Sequence, residues 1–411
     1  YKAVAPLLLL VQIGLMWHTP QAAGRYLQLT RKSNEGMAPI LAITPDPIIS
    51  EDMGLLVTND KVLDYYSFQN SQLARAGRWD QSWELGQLRD RNLSLVVLER
   101  GTRLDVDYYQ RFTREFLSEL DRNYRHAETV GKYEVYEPDP LQHERRAGFG
   151  KELALVGWSL HASPELRPGE TISLTVVWQA QQRLAIGYTA FAHLVDANGR
   201  GWAGDDHQPH GGVYPTSAWG PGEMVRDNFI LTVPSEATPG LYEVHIGWYD
   251  SSTGERLPSD DGSTFRVAVL PVGRAAGATE PLKPAGARFG ELISLQGYDL
   301  ETDPEAIRVR LRWSTEDHLD TDYTIFLHMI DAESGGQVLA QSDAPPLSGR
   351  WPTSLWLPGT AVDDVHVIPL PSDLPPGAYE LLVGLYDPTT GERLDLADGS
   401  DALPLPRINL P

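Results

Sequence analysis

Residues 205–210 combine the side-chain types that most often bind metal ions. Imidazole nitrogens and carboxylate oxygens both suit zinc or nickel, so Asp205, Asp206, His207 and His210 are candidate ligands of a divalent cation. The alternative interpretation is an exposed polar loop. No other cofactor is indicated, and the lack of cysteine excludes thiolate, disulfide and iron–sulfur chemistry.

Two further pairs of residues could contribute to metal binding. His193 and His328 occupy equivalent places, each three residues before an Asp, and a half-buried strand histidine hydrogen-bonded to a loop is the alternative. Asp250 and Asp387 each precede a short Ser/Thr-rich turn, where an Asp side chain accepts backbone N–H groups. Calcium is the alternative there, because more Asp residues follow closely, although the spacing of an EF-hand loop is absent.

Five aromatic side chains could form a site of another kind: Trp202, Tyr214, Trp219, Trp351 and Trp356. Aromatic rings stack on the faces of pyranose sugars, and the same surface could bind another protein. Trp219 and Trp356 each stand just before a Pro-Gly pair. For these two, the alternative is that the ring closes the end of a folded domain.

No known catalytic motif occurs in the chain. The patterns G-x-S-x-G, G-x-G-x-x-G and H-E-x-x-H and the phosphate-binding P-loop are all missing. Glu51, Asp52 and Asp80 could act as acid and base by residue type alone. Paired carboxylates do not recur along the chain in the way that a hydrolase would need. We therefore predict no catalytic residue, and the question whether the chain is an enzyme stays open.

The composition limits the partners. The net charge of −22 and the pI of about 4.8 repel nucleic acid and anionic membrane surfaces. Residues 3–17 are nearly all apolar, but this stretch is shorter than the roughly 20 residues that span a bilayer. It could be the end of a transmembrane helix, a signal-peptide core, or a buried or partner-bound segment. We predict the first of these.

The last two-thirds of the chain contains two long repeats. YPTS at residues 214–217 and WPTS at 351–354 are each followed by a Trp and then Pro-Gly, and G-x-Y-D ending in TGERL recurs at 247–257 and 384–394. The offset of 137 residues fits a whole domain and is too long for a solenoid unit. Short apolar runs between Pro-Gly and Asn-Gly turns predict an antiparallel β-sandwich in each repeat, of the immunoglobulin-like or jelly-roll-like kind.

The strands of the first repeat can be placed individually. Alternation of apolar and polar residues at 171–178 predicts a strand with one buried face, and Ile307, Val309, Leu311 and Trp313 show the same pattern in the second repeat. The predicted strands of the first repeat are residues 153–160, 171–178, 189–196, 226–233, 241–249 and 264–270.

The region before the repeats mixes helix with strand, which predicts a small α/β domain with a partly parallel sheet. Its predicted strands are residues 39–44, 54–57, 61–66, 93–99 and 133–136, and its predicted helices are 71–76, 83–91 and a segment opening at Thr113. The predicted organisation is an apolar helical segment at 1–24, the α/β domain at 25–140, β-sandwiches at 147–271 (the first repeat) and 288–411 (the second repeat), and a linker at 272–287.

The α/β region resembles the soluble part that follows the last membrane helix of family-39-type membrane glycosyltransferases. The resemblance rests on IISEDMGLLV at 48–57, YYSF at 65–68, QLARAGRWD at 72–80, the helix near 112–113 and YEVYEP at 133–138. Those enzymes have the multi-helix GT-C fold and use dolichyl-phosphate-mannose or undecaprenyl-phosphate-sugar. The repeats are similar to C-terminal domains appended to such enzymes in filamentous thermophilic bacteria. The resemblance implies that the catalytic acid lies among membrane helices outside this segment.

We therefore expect a non-catalytic extracytoplasmic segment, membrane-anchored or at the cell surface, with the membrane contact made through residues 3–17. It would bind or position a glycan or protein acceptor, or contact the cell envelope. The alternative is a structural subunit of an extracellular filament or surface layer. Such a subunit would self-associate through its β-sandwiches and the apolar N-terminal segment.

Overall fold

The computed structural model describes residues 4–102, 110–163, 166–272, 282–332 and 336–410, with side chains from residue 24 onward. The described residues form five β-sheets, four of which are wholly antiparallel. None of the helices in the described part of the chain is both long and apolar enough to cross a membrane. Of the predicted membrane contact at 3–17, residue 3 and all the side chains lie outside the described residues.

In the first part of the chain, the described residues form five helices and sheet 1. The elements are α1 (Val4–Ile43), β1 (Ile48–Ser50), α2 (Met53–Thr58), α3 (Ser67–Arg75), α4 (Ser82–Arg89), β2 (Leu95–Glu99), α5 (Arg114–Asn123), β3 (Tyr124–Val130) and β4 (Tyr133–Pro138). Sheet 1 has the order β1-β2-β4-β3, and its β1–β2 pair is parallel. We call residues 25–140 the mixed domain.

Helices cover both faces of sheet 1 because side chains alternate along β2. Leu95 and Val97 pack with α1 and α2 on one face. Val96 and Leu98 pack with α4 and α5 on the other face. The N-terminus of α5 is capped as predicted, since Thr113 Oγ1 accepts a hydrogen bond from the backbone N–H of Phe116 at 3.2 Å.

Three strand predictions for the mixed domain are wrong. Residues 39–43 are the end of α1, residues 54–57 lie in α2, and residues 61–66 form neither strand nor helix. Short apolar runs do not distinguish a strand from a buried helical turn. Residues 39–43 are helical because Met37 and Leu41, which are four residues apart, lie on the same buried face of α1. Residues 54–57 are helical because Asp52 Oδ1 caps α2 by accepting a hydrogen bond from the N–H of Leu55.

The first repeat contains sheets 2 and 3. Their strands are β5 (Ala147–Phe149), β6 (Leu153–His161), β7 (Thr171–Ala180), β8 (Thr189–Asp196), β9 (Gly201–His207), β10 (Met224–Thr232), β11 (Gly240–Tyr249) and β12 (Phe265–Val272). Sheet 2 has the order β10-β7-β6-β5, and sheet 3 has the order β12-β11-β8-β9. All six predicted strands are confirmed to within two residues, whereas β5 and β9 were missed.

The second repeat has the same arrangement in sheets 4 and 5. Its strands are β13 (Lys283–Phe289), β14 (Ile293–Thr302), β15 (Ala306–Thr315), β16 (Thr324–Asp331), β17 (Val338–Ala344), β18 (Val362–Pro369), β19 (Gly377–Tyr386), β20 (Leu403–Pro404) and β21 (Ile408–Leu410). Sheet 4 has the order β13-β14-β15-β18, and sheet 5 has the order β17-β16-β19-β20, with β21 also paired to β19. Strand β13 begins inside the predicted linker, of which residues 273–281 lie outside the described residues.

The two sheets of each repeat pack against each other through the predicted apolar faces. Trp178 of sheet 2 meets Trp248 of sheet 3 edge to face, with 4.9 Å between ring centroids. The alternating residues of β7 and β15, including Trp178 and Trp313, are fully buried. This packing is consistent with the predicted β-sandwiches.

Candidate functional site

The predicted cation ligands separate onto two sides of β9. Because side chains alternate along a strand, Asp205 and His207 project together and Asp206 projects to the opposite face. His207 Nδ1 lies 2.9 Å from Asp205 Oδ1, and its Nε2 lies 3.1 Å from Asp227 Oδ1 on β10. The hydrogen bond to Asp227, aided by Asp205, outweighs partial burial and raises the pKa of His207 to about 9.

A histidine held in this way acts as a cation and is a poor metal ligand. Both ring nitrogens of the protonated imidazole donate hydrogen bonds, and a metal would need a free lone pair on one of them. His210 lies outside this cluster, in a tight turn at residues 209–212, with its ring centroid 6.3 Å from that of Tyr214. Among the described residues, no group of three or more His, Asp or Glu side chains is placed to hold a metal ion.

In the second repeat, the histidine at this position comes from β18 and not from β17, the strand equivalent to β9. The residues equivalent to His207 and Phe229 are Ala344 and His366, whereas the aspartate is kept as Asp364. His366 Nε2 lies 2.9 Å from Asp364 Oδ2. The His–Asp contact is therefore retained although the histidine changes strand. In the first repeat this contact joins β9 to β10, whereas in the second both residues lie on β18 and His366 Nδ1 reaches Ser342 Oγ of β17 at 3.3 Å.

Four of the five predicted ligand-binding aromatics are buried. Trp219 and Trp356 have no exposed surface, and Tyr214 and Trp351 are at most 4% exposed. Trp219 Nε1 donates to the carbonyl oxygen of Tyr214 at 3.1 Å, and Trp356 Nε1 donates to that of Trp351 at 3.0 Å. These rings therefore close the end of each repeat, as the alternative interpretation had it, and they offer no face to a sugar in this structure.

Trp202 is the member of the set that stays half-exposed. Its Nε1 donates to Asp196 Oδ2 at 2.9 Å, and the Arg200 guanidinium lies 4.3 Å from its ring centroid. The outer face of the ring is thus occupied by Arg200. A ligand would have to displace this arginine before it could stack on the ring.

The repeated TGERL string positions an arginine over a phenylalanine. In the first repeat the Arg256 guanidinium lies 4.6 Å from the Phe191 ring, and in the second Arg393 lies 4.3 Å from Phe326. The Phe191 ring lies flat on Gly247, where a Cβ atom would come within 2.5 Å of it. The ring needs a glycine beneath it, so this part of the repeated sequence is explained by packing.

The predicted turns that begin at Asp250 and Asp387 are confirmed. Asp250 Oδ1 accepts a hydrogen bond from the N–H of Ser252 at 2.8 Å, and Asp387 Oδ1 accepts one from Thr389 at 2.7 Å. The pKa of Asp250 is held below its usual range first by a hydrogen bond from the Ser252 hydroxyl and then by the Ser252 N–H, and that of Asp387 by the Thr389 N–H. The two aspartates therefore have the structural role that the turn predicts.

An open groove lies on the outer face of sheet 3 in the first repeat. Its volume is about 570 Å³, which is in the range of small-ligand sites. The lining includes His193, Val195, Asp196, Gly199, Gly201, Glu243, His245, Arg256 and Thr264. Most of these side chains carry hydrogen-bond donors or acceptors, so the groove suits a polar ligand.

Two histidines face each other across this groove. His193 and His245 are directly opposite partners on β8 and β11. His193 Nε2 lies 2.7 Å from Asp206 Oδ1, and His245 Nε2 lies 2.7 Å from Glu243 Oε2. The hydrogen bond from His245, supported by Arg266, holds the pKa of Glu243 below its usual range. His193 is a candidate by residue type and position in the sequence, whereas His245 and Glu243 are marked only by their alternation along β11.

The second repeat keeps only half of this arrangement. His328 Nε2 lies 3.2 Å from Asp343 Oδ1, as in the first repeat. The residue opposite His328 on β19 is Leu382, where the first repeat has His245. The facing histidine pair is therefore a feature of the first repeat.

A buried ionic cluster in the mixed domain was also missed. Lys132 is 8% exposed, and its Nζ lies 2.7 Å from Glu99 Oε1 and 3.1 Å from Asp52 Oδ2. Tyr133 OH lies 2.6 Å from the same Asp52 oxygen. Burial alone would lower the pKa of Lys132, but the hydrogen bonds with Glu99 and Asp52 raise it; burial and Asp52 together raise the pKa of Tyr133.

These shifts favour the ordinary protonation states at neutral pH. Lys132 stays charged and Tyr133 stays neutral, which is the opposite of what a lysine base or a tyrosinate nucleophile requires. Burial raises the pKa of Glu51, which accepts hydrogen bonds from Thr102 Oγ1 and the Glu99 N–H. The third acid considered from sequence, Asp80, accepts a hydrogen bond from the N–H of Ser82 at the start of α4.

A buried arginine joins the mixed domain to the first repeat. Arg226 on β10 is 7% exposed, and its Nε donates to the carbonyl oxygen of Asp121 at 2.8 Å. Its Nη1 lies 2.5 Å from Asp139 Oδ2, and its Nη2 donates to the carbonyl oxygens of Arg122 and Asp139. At the other end of α5, Arg114 Nη1 lies 2.7 Å from Glu223 Oε2. These contacts hold α5 against the first repeat along its length.

Tyr214 belongs to the same interface. Its hydroxyl donates to Glu223 Oε1 at 2.7 Å and accepts a hydrogen bond from Arg114 Nη1 at 3.0 Å. The Ser118 hydroxyl on α5 also accepts a hydrogen bond from the backbone N–H of Met224. The predicted ligand-binding tyrosine is therefore part of a contact between domains.

Comparison with known proteins gives only weak structural similarities. No protein-family description and no curated protein matches the chain. Among solved structures it is similar to the C-terminal domain of wzt, with 10% sequence identity and a TM-score of 0.25 over 33% of this chain and 83% of that chain. It is also similar to native E. coli alpha-2-macroglobulin, with 9% identity and a TM-score of 0.19 over 69% of this chain and 16% of that chain. At these values neither likeness supports a conclusion about function.

Proposed function

We propose that this chain is the non-catalytic, extracytoplasmic part of a glycosyltransferase-like membrane protein, and that it holds a glycan acceptor in the groove on sheet 3. The assignment to a glycosyltransferase-like parent protein rests on the sequence resemblance of the mixed domain. The groove of the first repeat is the observation that carries the binding role. We also interpret the two repeats as immunoglobulin-like or jelly-roll-like β-sandwiches that follow a small α/β domain.

The groove offers the kind of contacts that sugar hydroxyls need. A hydroxyl group both donates and accepts hydrogen bonds, and carboxylates next to histidines and an arginine supply partners of both kinds. Glu243 and Thr264 hold the two ring nitrogens of His245, and Asp206 holds Nε2 of His193, so the polar lining of the groove is fixed before a ligand binds. Such preorganisation lowers the entropic cost of binding.

The contact between α5 and the first repeat supports a positioning role. A buried arginine with several hydrogen-bond acceptors fixes relative orientation better than a flexible linker does. The groove would then keep a constant position relative to the mixed domain and to α1. A module that presents an acceptor to a membrane-embedded active site needs such a fixed geometry.

The binding role can be tested with the full chain on a panel of cell-envelope polysaccharides and glycans. We expect the affinity for the retained glycan to fall at least about tenfold in the variants His193→Ala and Glu243→Ala, since a hydrogen bond with a charged group contributes about 1.5–3 kcal/mol. His328→Ala is the matched control, because it removes the equivalent histidine where no opposing histidine is present. Retention by no glycan, or an equal loss in the control, would count against the proposal.

A further inference from the structure

We infer that one edge of the mixed domain lies in the headgroup layer of a lipid bilayer, and that α3 and the turn to α4 supply the contact. Five large apolar or aromatic side chains in this short stretch are 42–46% exposed: Tyr66, Phe68, Leu73, Trp79 and Trp83. This membrane-facing surface takes from the proposed function only the attachment of the chain through residues 3–17.

Helix α3 has the reverse of the usual burial pattern, with polar side chains buried and apolar side chains exposed. Its buried residues are Ser67, Asn70 and Ser71, whereas Phe68 and Leu73 face outward. An amphipathic helix normally buries its apolar stripe. The polar side of α3 instead packs against the mixed domain itself, where Ser71 Oγ donates to the carbonyl oxygen of Gln110. The apolar side is thus left for a partner outside the domain.

The same edge of sheet 1 carries α3 and the part of α1 nearest to residues 3–17. Strands β1 and β2 are parallel, so the residues that follow them, Glu51 and those after Glu99, lie at one edge. Arg111 connects this edge to α3, since its Nε lies 3.6 Å from Glu51 Oε1 and its guanidinium lies 5.2 Å from the Phe68 ring. Lys132 connects the edge to α1 through a contact with the Tyr26 ring at 5.3 Å.

The first repeat is attached at the opposite edge. Strand β4 runs antiparallel to β2, beginning with Tyr133 opposite Glu99 and ending at Pro138. Asp139, which binds Arg226, therefore lies at the edge away from Tyr26 and Phe68. The mixed domain accordingly has one edge near the start of α1 and another edge that holds the repeats.

The distribution of charge fits a bilayer as the occupant. Residues 141–411 carry 18 basic against 37 acidic side chains, whereas residues 25–140 carry 15 against 19. An anionic membrane surface would repel the acidic repeats much more strongly than the nearly neutral mixed domain. Trp and Tyr are the residues enriched at membrane–water interfaces, because their rings are apolar and carry one polar group. Trp79 shows this arrangement, with its Nε1 bound to Glu84 Oε1 at 2.8 Å.

The tryptophans of this chain provide a selective reporter. Among the tryptophans whose side chains the structure describes, Trp79 and Trp83 are exposed, Trp202 is half-buried and the rest are buried. We would reconstitute the full chain with Trp17→Phe into phosphatidylcholine vesicles containing a lipid that is spin-labelled near the headgroup. We expect the protein to float with the vesicles and its fluorescence to be quenched. The quenching should be lost in a Trp79→Phe, Trp83→Phe variant.

The outcomes separate this inference from the proposed function. Flotation without quenching that depends on Trp79 and Trp83 overturns the membrane-facing surface and leaves attachment through residues 3–17 intact. If the protein does not float with the vesicles, both the membrane-facing surface and the attachment through residues 3–17 are overturned. Glycan retention is measured in a separate experiment and is not affected by this outcome. A doubled mass with both tryptophans protected from a soluble quencher assigns the surface to a protein interface and also overturns the inference. Ile230→Ser, an exposed apolar position on β10, is the control that should change neither readout.

Discussion

Raising the pH above neutrality is expected to weaken the first repeat through His207. The pKa of this histidine is about 9 in the folded chain and about 6.5 in an unfolded one. Because the folded value is the higher one, the stabilisation is fully present below pH 6.5. It is lost as the pH rises from 6.5 to 9.

The size of this effect follows from the two contacts of His207. The difference between a pKa of 9 and one of 6.5 corresponds to about 3.4 kcal/mol if it is fully expressed. The imidazole is 24% exposed, and Asp205 is 28% exposed, so solvent screens part of the interaction. We therefore expect about 1–2 kcal/mol.

The measurement is a comparison of the wild-type chain with His207→Gln at pH 6 and pH 10. Hydrogen exchange of the β9 and β10 amides reports the local free energy of opening without assuming that the whole chain unfolds in one step. We expect the advantage of the wild type at pH 6 to disappear at pH 10. A parallel NMR titration should give His207 a pKa near 9, lowered in Asp227→Asn. A His207 pKa near 6.5, or a difference between the two chains that does not depend on pH, would refute the reasoning.

Three further substitutions test the contacts that position these elements. Arg226→Ala should lower the free energy of unfolding by about 3 kcal/mol and reduce amide protection in α5, because it leaves Asp139 without its buried partner. The control is Arg312→Ala, which removes a more exposed ion pair and should lower the free energy of unfolding by less. Trp219→Ala should lower the free energy of unfolding by about 3–5 kcal/mol, since this ring fills the core, and should leave unchanged the glycan retention that we propose for the groove. A binding loss at full stability would contradict that assignment. Thr113→Ala should cost about 1 kcal/mol through loss of the α5 cap, and unchanged helix stability would contradict it.

The repeats could be predicted from the sequence because their signals are local. Alternation at Ile172 and Trp178, together with the Pro-Gly turns, gave the strands nearly to the residue. The mixed domain was harder, since α1 and α2 each contain a short apolar run whose environment decides between helix and strand. Strand β9 was missed because it is polar and lies at the edge of its sheet, so no apolar face marks it.

The candidate site illustrates the same limit. Residue type singles out His193 and His207 as candidates, but it does not reveal that His207 contacts Asp227 or that His193 lies beside His245, because strand pairing and not position in the chain brings these residues together. The predicted aromatic platform failed for a related reason. A tryptophan before Pro-Gly can face a ligand or the core, and only the packing of both sheets shows that Trp219 is enclosed.

The buried arginine between α5 and β10 makes the two repeats non-interchangeable. The residue of the second repeat that corresponds to Arg226 is Asp363, which is bound to Arg312 of its own sheet. If the repeats exchanged places, this aspartate would face Asp121 and Asp139. Three carboxylates would then meet where the guanidinium of Arg226 now pairs with Asp139 and its backbone N–H donates to Asp121. The order of the modules along the chain is thus favoured by charge at this position, and Glu223, which binds Arg114, likewise corresponds to the uncharged Thr360 in the second repeat. A copy made by gene duplication could join the mixed domain only after that position had changed sign.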